Sequence, residues 1–515
     1  MQKQLAAFIC LVLLCGSASA LADPFDAVRA AIRRDLATEQ EGGQQVPSIT
    51  VAVAKNGKII WEEGFGWADR ERRVAATPDT SYSLASISKT MTGLALMTLV
   101  KAGKIDLDRP VNDYLGSAKL TARVGDAAGA TVRRVANHSS GLPEYCQYFY
   151  ENEPWTPPDP DETIRRFGVL MSPPGERFEY SNLGYGALST VIARAAGQSF
   201  ADYLRQAVFL PLGMTRTSVG GEPALAPYQA VRYGIDGLPI APYETNHAGA
   251  SAIYASAHDL ARLGLFVLKT HLPDQAAILS DAEVDAMLRP TMPMGPGKGY
   301  GVGWETSTRD GVAVYAHTGG MPGVQTELRV VPSEKLVVVV LCNAEVWDLP
   351  GTIADQIMAT LIPHWQAPPD EAPPPSAPFA PGPDLVGVWK GRVATYAGDL
   401  PITLTVFAGG DVHAKLGDQR EVLVNHPHVS RDGYLRGILS ASLGLEDGVR
   451  RPYVVGLDLK LHGNGLSGEI LAQADDRGVA PTHGLYPAAH GHPQPTGIQT
   501  DAFKFAQWAE LVKQP

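Results

Sequence analysis

Basic side chains are scarce in this 515-residue sequence: 43 Lys and Arg stand against 54 Asp and Glu, for a net charge of −11. No basic run interrupts that balance, and phosphate recognition needs clustered cations, so nucleic acid is excluded as a partner. Long apolar runs are missing except at the start, where Leu5 to Leu14 is too short to cross a bilayer, so no transmembrane span is expected. Cysteine is rare, with 4 in all, and no Cys-x-x-Cys or Cys/His zinc spacing occurs. A disulfide scaffold and a structural zinc are therefore not expected. His-Glu-x-x-His and the Gly-x-Ser-x-Gly elbow are also absent, which argues against the commonest zinc proteases and against α/β-hydrolase lipases.

What is present begins with an export signal. Lys3 leads into the apolar segment, and small residues follow as Ala18-Ser19-Ala20 and Ala20-Leu21-Ala22. Residues 1–22 read as a signal peptide cut before Asp23, which makes the chain periplasmic or secreted. Lipidation at Cys15 is the alternative, opposed by the bulky Leu14 before it. Cys10 and Cys15 leave with the signal, so Cys146 and Cys342 remain and are expected to be free.

With 45% hydrophobic residues the mature chain is globular. An amphipathic helix is expected over Pro24–Gln40, then a hairpin of Ile49–Ala54 and Lys58–Glu62 around Asn56-Gly57. Helices are expected over Ser86–Ala102, Gly184–Ala196 and Ala257–Lys269, and strands return at Val312–His317, Glu327–Val331 and Leu336–Cys342. Strands from both ends around a helical middle point to one sheet in an α/β layered domain over 23–365, without βαβ alternation. Residues 366–383 are proline-rich and read as a linker. From 384 to 515 short β-like runs (Val386–Val393, Leu400–Phe407, Leu435–Leu443, Tyr453–Leu461, Leu466–Gln473) point to a small all-β, barrel-like domain without catalytic residues of its own. Trp389 is expected in its core.

Ser-x-x-Lys occurs once, as Ser86-Ile87-Ser88-Lys89, at the start of an apolar helical run. Residues i and i+3 share a helix face, so Lys89 can lie beside the Ser86 hydroxyl as a base or as a cation that stabilises an alkoxide. Alone, the motif is weak, because a Ser at a helix start is more often a cap. Tyr180-Ser181-Asn182 follows a Pro-Pro-Gly turn and precedes a helix; Tyr180 becomes a proton carrier if its phenol reaches Ser86, its pKa lowered by a nearby lysine cation. His317-Thr318-Gly319-Gly320 ends a strand, and its glycines would let a substrate backbone approach the strand edge. Gly295-Pro296-Gly297-Lys298-Gly299 lacks the Ser or Thr of a phosphate loop and reads as a flexible loop. His426/His428 and His490/His492 read as exposed turns.

The order Ser-x-x-Lys, Tyr-x-Asn, His-Thr-Gly resembles the serine β-lactamase and penicillin-recognising family, in its class C-like branch of DD-peptidases, D-aminopeptidases, carboxylesterases and amide hydrolases. His138-Ser139-Ser140-Gly141-Leu142-Pro143, Tyr300-Gly301-Val302-Gly303-Trp304 and the Ala257–Leu263 helix resemble further motifs of that family. The Trp389 strand resembles the start of appended lipocalin-like barrels. The resemblance implies a β-lactamase/transpeptidase-like fold, an antiparallel sheet with a helical region, and acyl transfer without metal or cofactor. Ser86 would be the nucleophile, with Lys89 and Tyr180 moving its proton. Asn182 would orient Lys89 and the substrate amide. Ser86 and Gly320 N–H groups would form the oxyanion hole, and His317, Thr318 and Gly319 would line the substrate side. Many relatives carry Lys where this chain has His317. A mostly neutral His implies weak β-lactam hydrolysis and less dependence on a substrate carboxylate. The expected substrate is a small molecule or peptide, with D-residue cell-wall peptides leading, a carboxylesterase as the alternative and a non-turnover β-lactam-binding protein as a third reading. A homo-oligomer is compatible with the sequence.

Overall fold

Every position of Leu336–Cys342 is buried, so this strand must be covered on both faces. The computed structural model describes residues 23–37, 46–234, 237–309, 311–346, 348–366, 378–474 and 503–515. The expected signal segment, most of the proline-rich spacer and the His490/His492 pair lie outside them. Along the chain run β1 (Ser48–Lys55), β2 (Lys58–Asp69), β3 (Val74–Ala75), β4 (Cys146–Tyr150), β5 (Met292–Gly295), β6 (Lys298–Tyr300), β7 (Glu305–Arg309), β8 (Val312–Met321), β9 (Val324–Val331) and β10 (Leu336–Cys342). All but β4 form one sheet in the order β5-β6-β7-β8-β9-β10-β1-β2-β3. The two ends of the domain therefore meet at the antiparallel β1–β10 pair, where Val51 faces Val340.

Helices cover both faces: α1 (Asp26–Ala37), α2 (Ser88–Lys101), α3 (Asn182–Ala196), α4 (Ala248–Ser251), α5 (Ala257–Val267) and α6 (Leu349–Leu361). The two-residue period of β10 divides its side chains between two cores. Val337, Val339 and Leu341 join α2 and α5 on one side. Val338 and Val340 join α1 and α6 on the other. Burying each such side chain is worth roughly 1.5–3 kcal/mol, so this strand fastens the layers together. The expected helices are present with ends shifted by a few residues. Ser86 lies in a 3₁₀ turn, Ala85–Ile87, immediately before α2. The segment Gly295–Gly299, expected as a flexible loop, instead closes the β5–β6 hairpin, with Gly295 facing Lys298 across a Pro-Gly turn. Among the described residues no helix is long and apolar enough to cross a membrane. Among the described residues, neither Cys146 nor Cys342 is in a disulfide.

The C-terminal region forms a second antiparallel sheet, β11 (Gly387–Thr395), β12 (Gly398–Val406), β13 (Val412–Leu416), β14 (Val422–Leu423), β15 (Asn425–Val429), β16 (Tyr434–Leu439), β17 (Tyr453–His462), β18 (Gly465–Ala474) and β19 (Phe503–Lys513), in the order β14-β13-β12-β11-β19-β18-β17-β16-β15. Its two edge strands, β14 and β15, are consecutive in sequence, so the sheet curls into a nearly closed barrel. Trp389 is fully buried in it, its indole N–H donating to the Leu385 carbonyl at 2.8 Å. Sequence reading missed β19, the central strand, because Ala-Gln-Trp-Ala-Glu-Leu favours helix locally and tertiary pairing on both edges overrides it. The same strand also pairs with β4, Phe503 facing Gln147 and Lys504 facing Cys146. The barrel is thereby stitched to the helical middle of the first domain.

The Tyr300–Trp304 segment rests directly on α2. A Cβ at Gly303, whose φ is +82°, would lie 2.3 Å from the Lys89 carbonyl, and one at Gly93 would lie 2.5 Å from the Val302 carbonyl. Only glycine permits both approaches. Gly303→Ala is expected to lower stability by about 2 kcal/mol or more. The midpoint of a denaturant titration measures this, and an unchanged midpoint would refute the contact.

Candidate active site

Two side chains converge on the Ser86 hydroxyl. Lys89 Nζ lies 3.0 Å from Ser86 Oγ, and the Tyr180 phenol donates to the same oxygen at 2.7 Å. Asn182, the first residue of α3, sits behind them because the Ser181 side chain caps that helix on the Gly184 N–H. Its Oδ1 accepts from Lys89 Nζ at 2.7 Å, and its Nδ2 donates to the Tyr145 carbonyl at 2.9 Å. The Ala250 carbonyl of α4 is a second acceptor for Lys89, at 3.1 Å. Pattern reading missed Ala250 because a backbone carbonyl on a four-residue helix leaves no side-chain signature.

Lys89 is fully buried, and desolvation holds its pKa well below the ordinary lysine range. The partner chemistry fits a neutral amine. Asn182 Oδ1 and the Ala250 carbonyl only accept, so they take its two N–H donors. The third direction faces Ser86 Oγ, where the lone pair of a neutral amine can take the hydroxyl proton. Tyr180 differs from expectation: its phenol does reach Ser86, but burial pushes its pKa up. Tyr180 therefore rests as a phenol and can give its proton away. His138 stacks on the Tyr180 ring at 4.4 Å between centroids, and its Nδ1 accepts the Ser181 N–H at 3.0 Å. The His138-Ser139-Ser140-Gly141 motif thus backs the Tyr180 loop.

His317, Thr318 and Gly320 line the same cleft of about 400 Å³ as Ser86, Tyr180 and Asn182. His317 Nδ1 is 2.7 Å from the Thr318 carbonyl, an acceptor, so Nδ1 carries the hydrogen and Nε2 accepts the Tyr300 hydroxyl at 2.8 Å. Burial pulls this imidazole down to about 3. Gly319 serves packing: a Cβ there would lie 2.2 Å from the Leu84 carbonyl and 2.3 Å from Thr326 Oγ1. The strand thus closes onto the turn carrying Ser86, and substrate approach is not the reason for that glycine. The barrel completes the cleft wall with Gln473, Phe503 and Lys504, which sequence reading did not anticipate. Lys504 is paired with Glu144 at 2.7 Å.

With this geometry in place, the comparisons with known proteins agree. The Beta-lactamase family model matches residues 28–360. The chain belongs to the beta-lactamase family and is a serine hydrolase of it. Penicillin-binding protein 4* of Bacillus subtilis (strain 168) is 27% identical over 58% of this chain and 68% of its own length. Protein flp of Staphylococcus aureus (strain MRSA252) is also 27% identical, over 58% of this chain and 60% of its own length. Among solved structures, the octameric penicillin-binding protein homologue from Pyrococcus abyssi aligns over 86% of this chain and 97% of its own at TM-score 0.57 and 24% identity. SurE with D-Leu aligns over 87% and 97% at TM-score 0.60 and 23% identity. D-amino acid amidase from Ochrobactrum anthropi SV3 aligns over 66% and 98% at TM-score 0.55 and 22% identity. The first two matches extend past the family segment, so the fold they share includes the barrel.

Between pH about 6.5, the ordinary imidazole value, and about 3, the unfolded chain takes up a proton that native His317 refuses. This group's contribution to stability therefore falls as pH drops through that window. The His317 ring should show no titration between pH 5 and 8 by NMR; a midpoint near 6.5 would contradict its buried, doubly bonded state.

Proposed function

We propose that the chain is an exported serine hydrolase that acts through a covalent acyl-serine on amide bonds of D-residue or cell-wall-type peptides, with weak activity on β-lactams. The observation that carries this reading is the double contact of Ser86 Oγ with Lys89 Nζ at 3.0 Å and the Tyr180 hydroxyl at 2.7 Å. Ser86 Oγ adds to the carbonyl carbon while its proton passes to Lys89. The oxyanion is held by the N–H groups of Ser86 and Gly320. Tyr180 hands its proton to the leaving nitrogen as the C–N bond breaks, and is reprotonated from Lys89. Water then attacks the acyl-serine by the same route, releasing the acid and regenerating the hydroxyl. Asn182 keeps Lys89 oriented, and His317 and Thr318 border the leaving group.

The D-residue preference draws support from two structural relatives, one described as a D-amino acid amidase and one as holding D-Leu. Self-association draws support from the octameric state of the Pyrococcus abyssi homologue. Ester cleavage is a second reading. A neutral His317 puts no lysine-like charge where a peptide carboxylate would be held, and the same proton path serves an alcohol leaving group.

Ser86→Ala should abolish both turnover of an activated D-acyl ester and any mass adduct with benzylpenicillin. Turnover above background in that variant would refute the nucleophile. Tyr180→Phe should lower kcat about 10²-fold or more, as loss of a proton carrier does; a kcat within a few-fold of wild type would remove Tyr180 from the proton path.

A further inference from the structure

The cleft contains a carboxylate that the proton path does not use. Glu305 opens β7 opposite Ala316, on the sheet face that also carries Thr318. Because β7 begins there, β8 from Thr318 to Met321 is paired on its β9 side only, and Glu305 stands where that open edge starts. It lines the cleft with Ser86 and Thr318, and its charge is felt at Lys89, Tyr180 and Tyr300. The glycine contacts between α2 and the Tyr300–Trp304 segment fix its place relative to Lys89.

Neighbouring carboxylates are answered. Glu144 pairs with Lys504 at 2.7 Å, and Glu327, across the sheet from Thr318, pairs with Arg329 at 2.7 Å. The Glu305 side chain makes no hydrogen bond or ion pair with any described residue. Glu305 is half-buried, and drawing a carboxylate out of water without a partner is costly. Burial and the nearby Glu327 accordingly raise this carboxyl to about 7, while Lys298 opposes the rise. A cation arriving with the substrate would return it to the ionised form and complete the pair. The neutral His317 supplies no such cation.

We propose that Glu305 is the specificity-determining residue of the leaving-group end, and that this hydrolase selects substrates whose leaving group carries an ammonium. This rests on the acyl-serine reading above, which places the leaving group beside His317 and Thr318. The ammonium stays on the leaving group and donates to Glu305; the bonds made and broken remain those at the carbonyl. A carboxylate-bearing leaving group would meet repulsion there, opposite to the effect of a lysine in the His317 position.

The test uses the mature full-length chain and three phenyl esters of N-acetyl-D-alanine, with 4-aminomethyl, 4-ethyl (isosteric with the first) and 4-carboxymethyl substituents. The expected order of kcat/KM is ammonium over ethyl over carboxylate, with the ammonium favoured roughly tenfold, as for a charge-assisted hydrogen bond. Glu305→Gln should remove that preference, a change in selectivity that a merely structural role would not produce. Turnover of the ethyl ester without an ammonium preference in wild type overturns the inference while leaving the hydrolase reading intact. So does a preference that survives Glu305→Gln. Should that variant fail to fold, the wild-type ratio alone decides. Absence of turnover and of acyl-serine on all three esters overturns both readings.

Discussion

The active site depends on the burial of one amine. Lys89 is fully enclosed, and an ammonium in that position would give up several kcal/mol of hydration. The fold resolves this by favouring the neutral form and by surrounding it with two acceptors that use both of its hydrogens. Each acceptor comes from a separate element: Asn182 from the start of α3 and the Ala250 carbonyl from α4. The third direction is left to Ser86. The site's reactivity is thus a consequence of packing, since anything that admits water around Lys89 would restore its charge and remove the base.

Several features serve that packing. Gly93 and Gly303 let the Tyr300–Trp304 segment lie against the α2 backbone, which seals Lys89 from one side and places Glu305 on the cleft wall. Gly319 lets β8 close onto the turn carrying Ser86. The barrel adds the remaining wall through β19, whose pairing with β4 brings Phe503 and Lys504 to the cleft. Arg450 reinforces that junction by donating to the Tyr148 carbonyl at 2.9 Å and to Gln147 Oε1 at 3.0 Å. The barrel thereby bounds the space open to substrate.

The parts legible in the sequence are those carried by spacing or periodicity. Ser86 and Lys89 were legible because three residues separate them on a helical run, and the β1–β10 sheet because apolar strands flank a helical middle. Five of the barrel strands were legible as short β-like runs between turns. What was not legible depends on tertiary contact. The sequence gives no sign that Ala250 would turn a carbonyl toward Lys89, or that a helix-favouring stretch at Phe503–Lys513 would become a central strand. The direction of the Tyr180 shift runs opposite to the expectation for the same reason: the burial of the phenol itself, which no motif shows, is the largest influence on it. Glu305 follows the Tyr300–Trp304 motif directly, yet only the strand register shows that it begins the open edge.

The most direct test of the account is the pH dependence of acylation, followed in a single turnover with an activated ester whose own reactivity does not titrate. If Lys89 works as a neutral base, the rate should be on its plateau at neutral pH, and its acid limb should lie well below the ordinary lysine range. Lys89→Ala should abolish the limb together with most of the rate. A wild-type rate that climbs until about pH 10, where ordinary lysines titrate, would show a charged Lys89 and contradict the account.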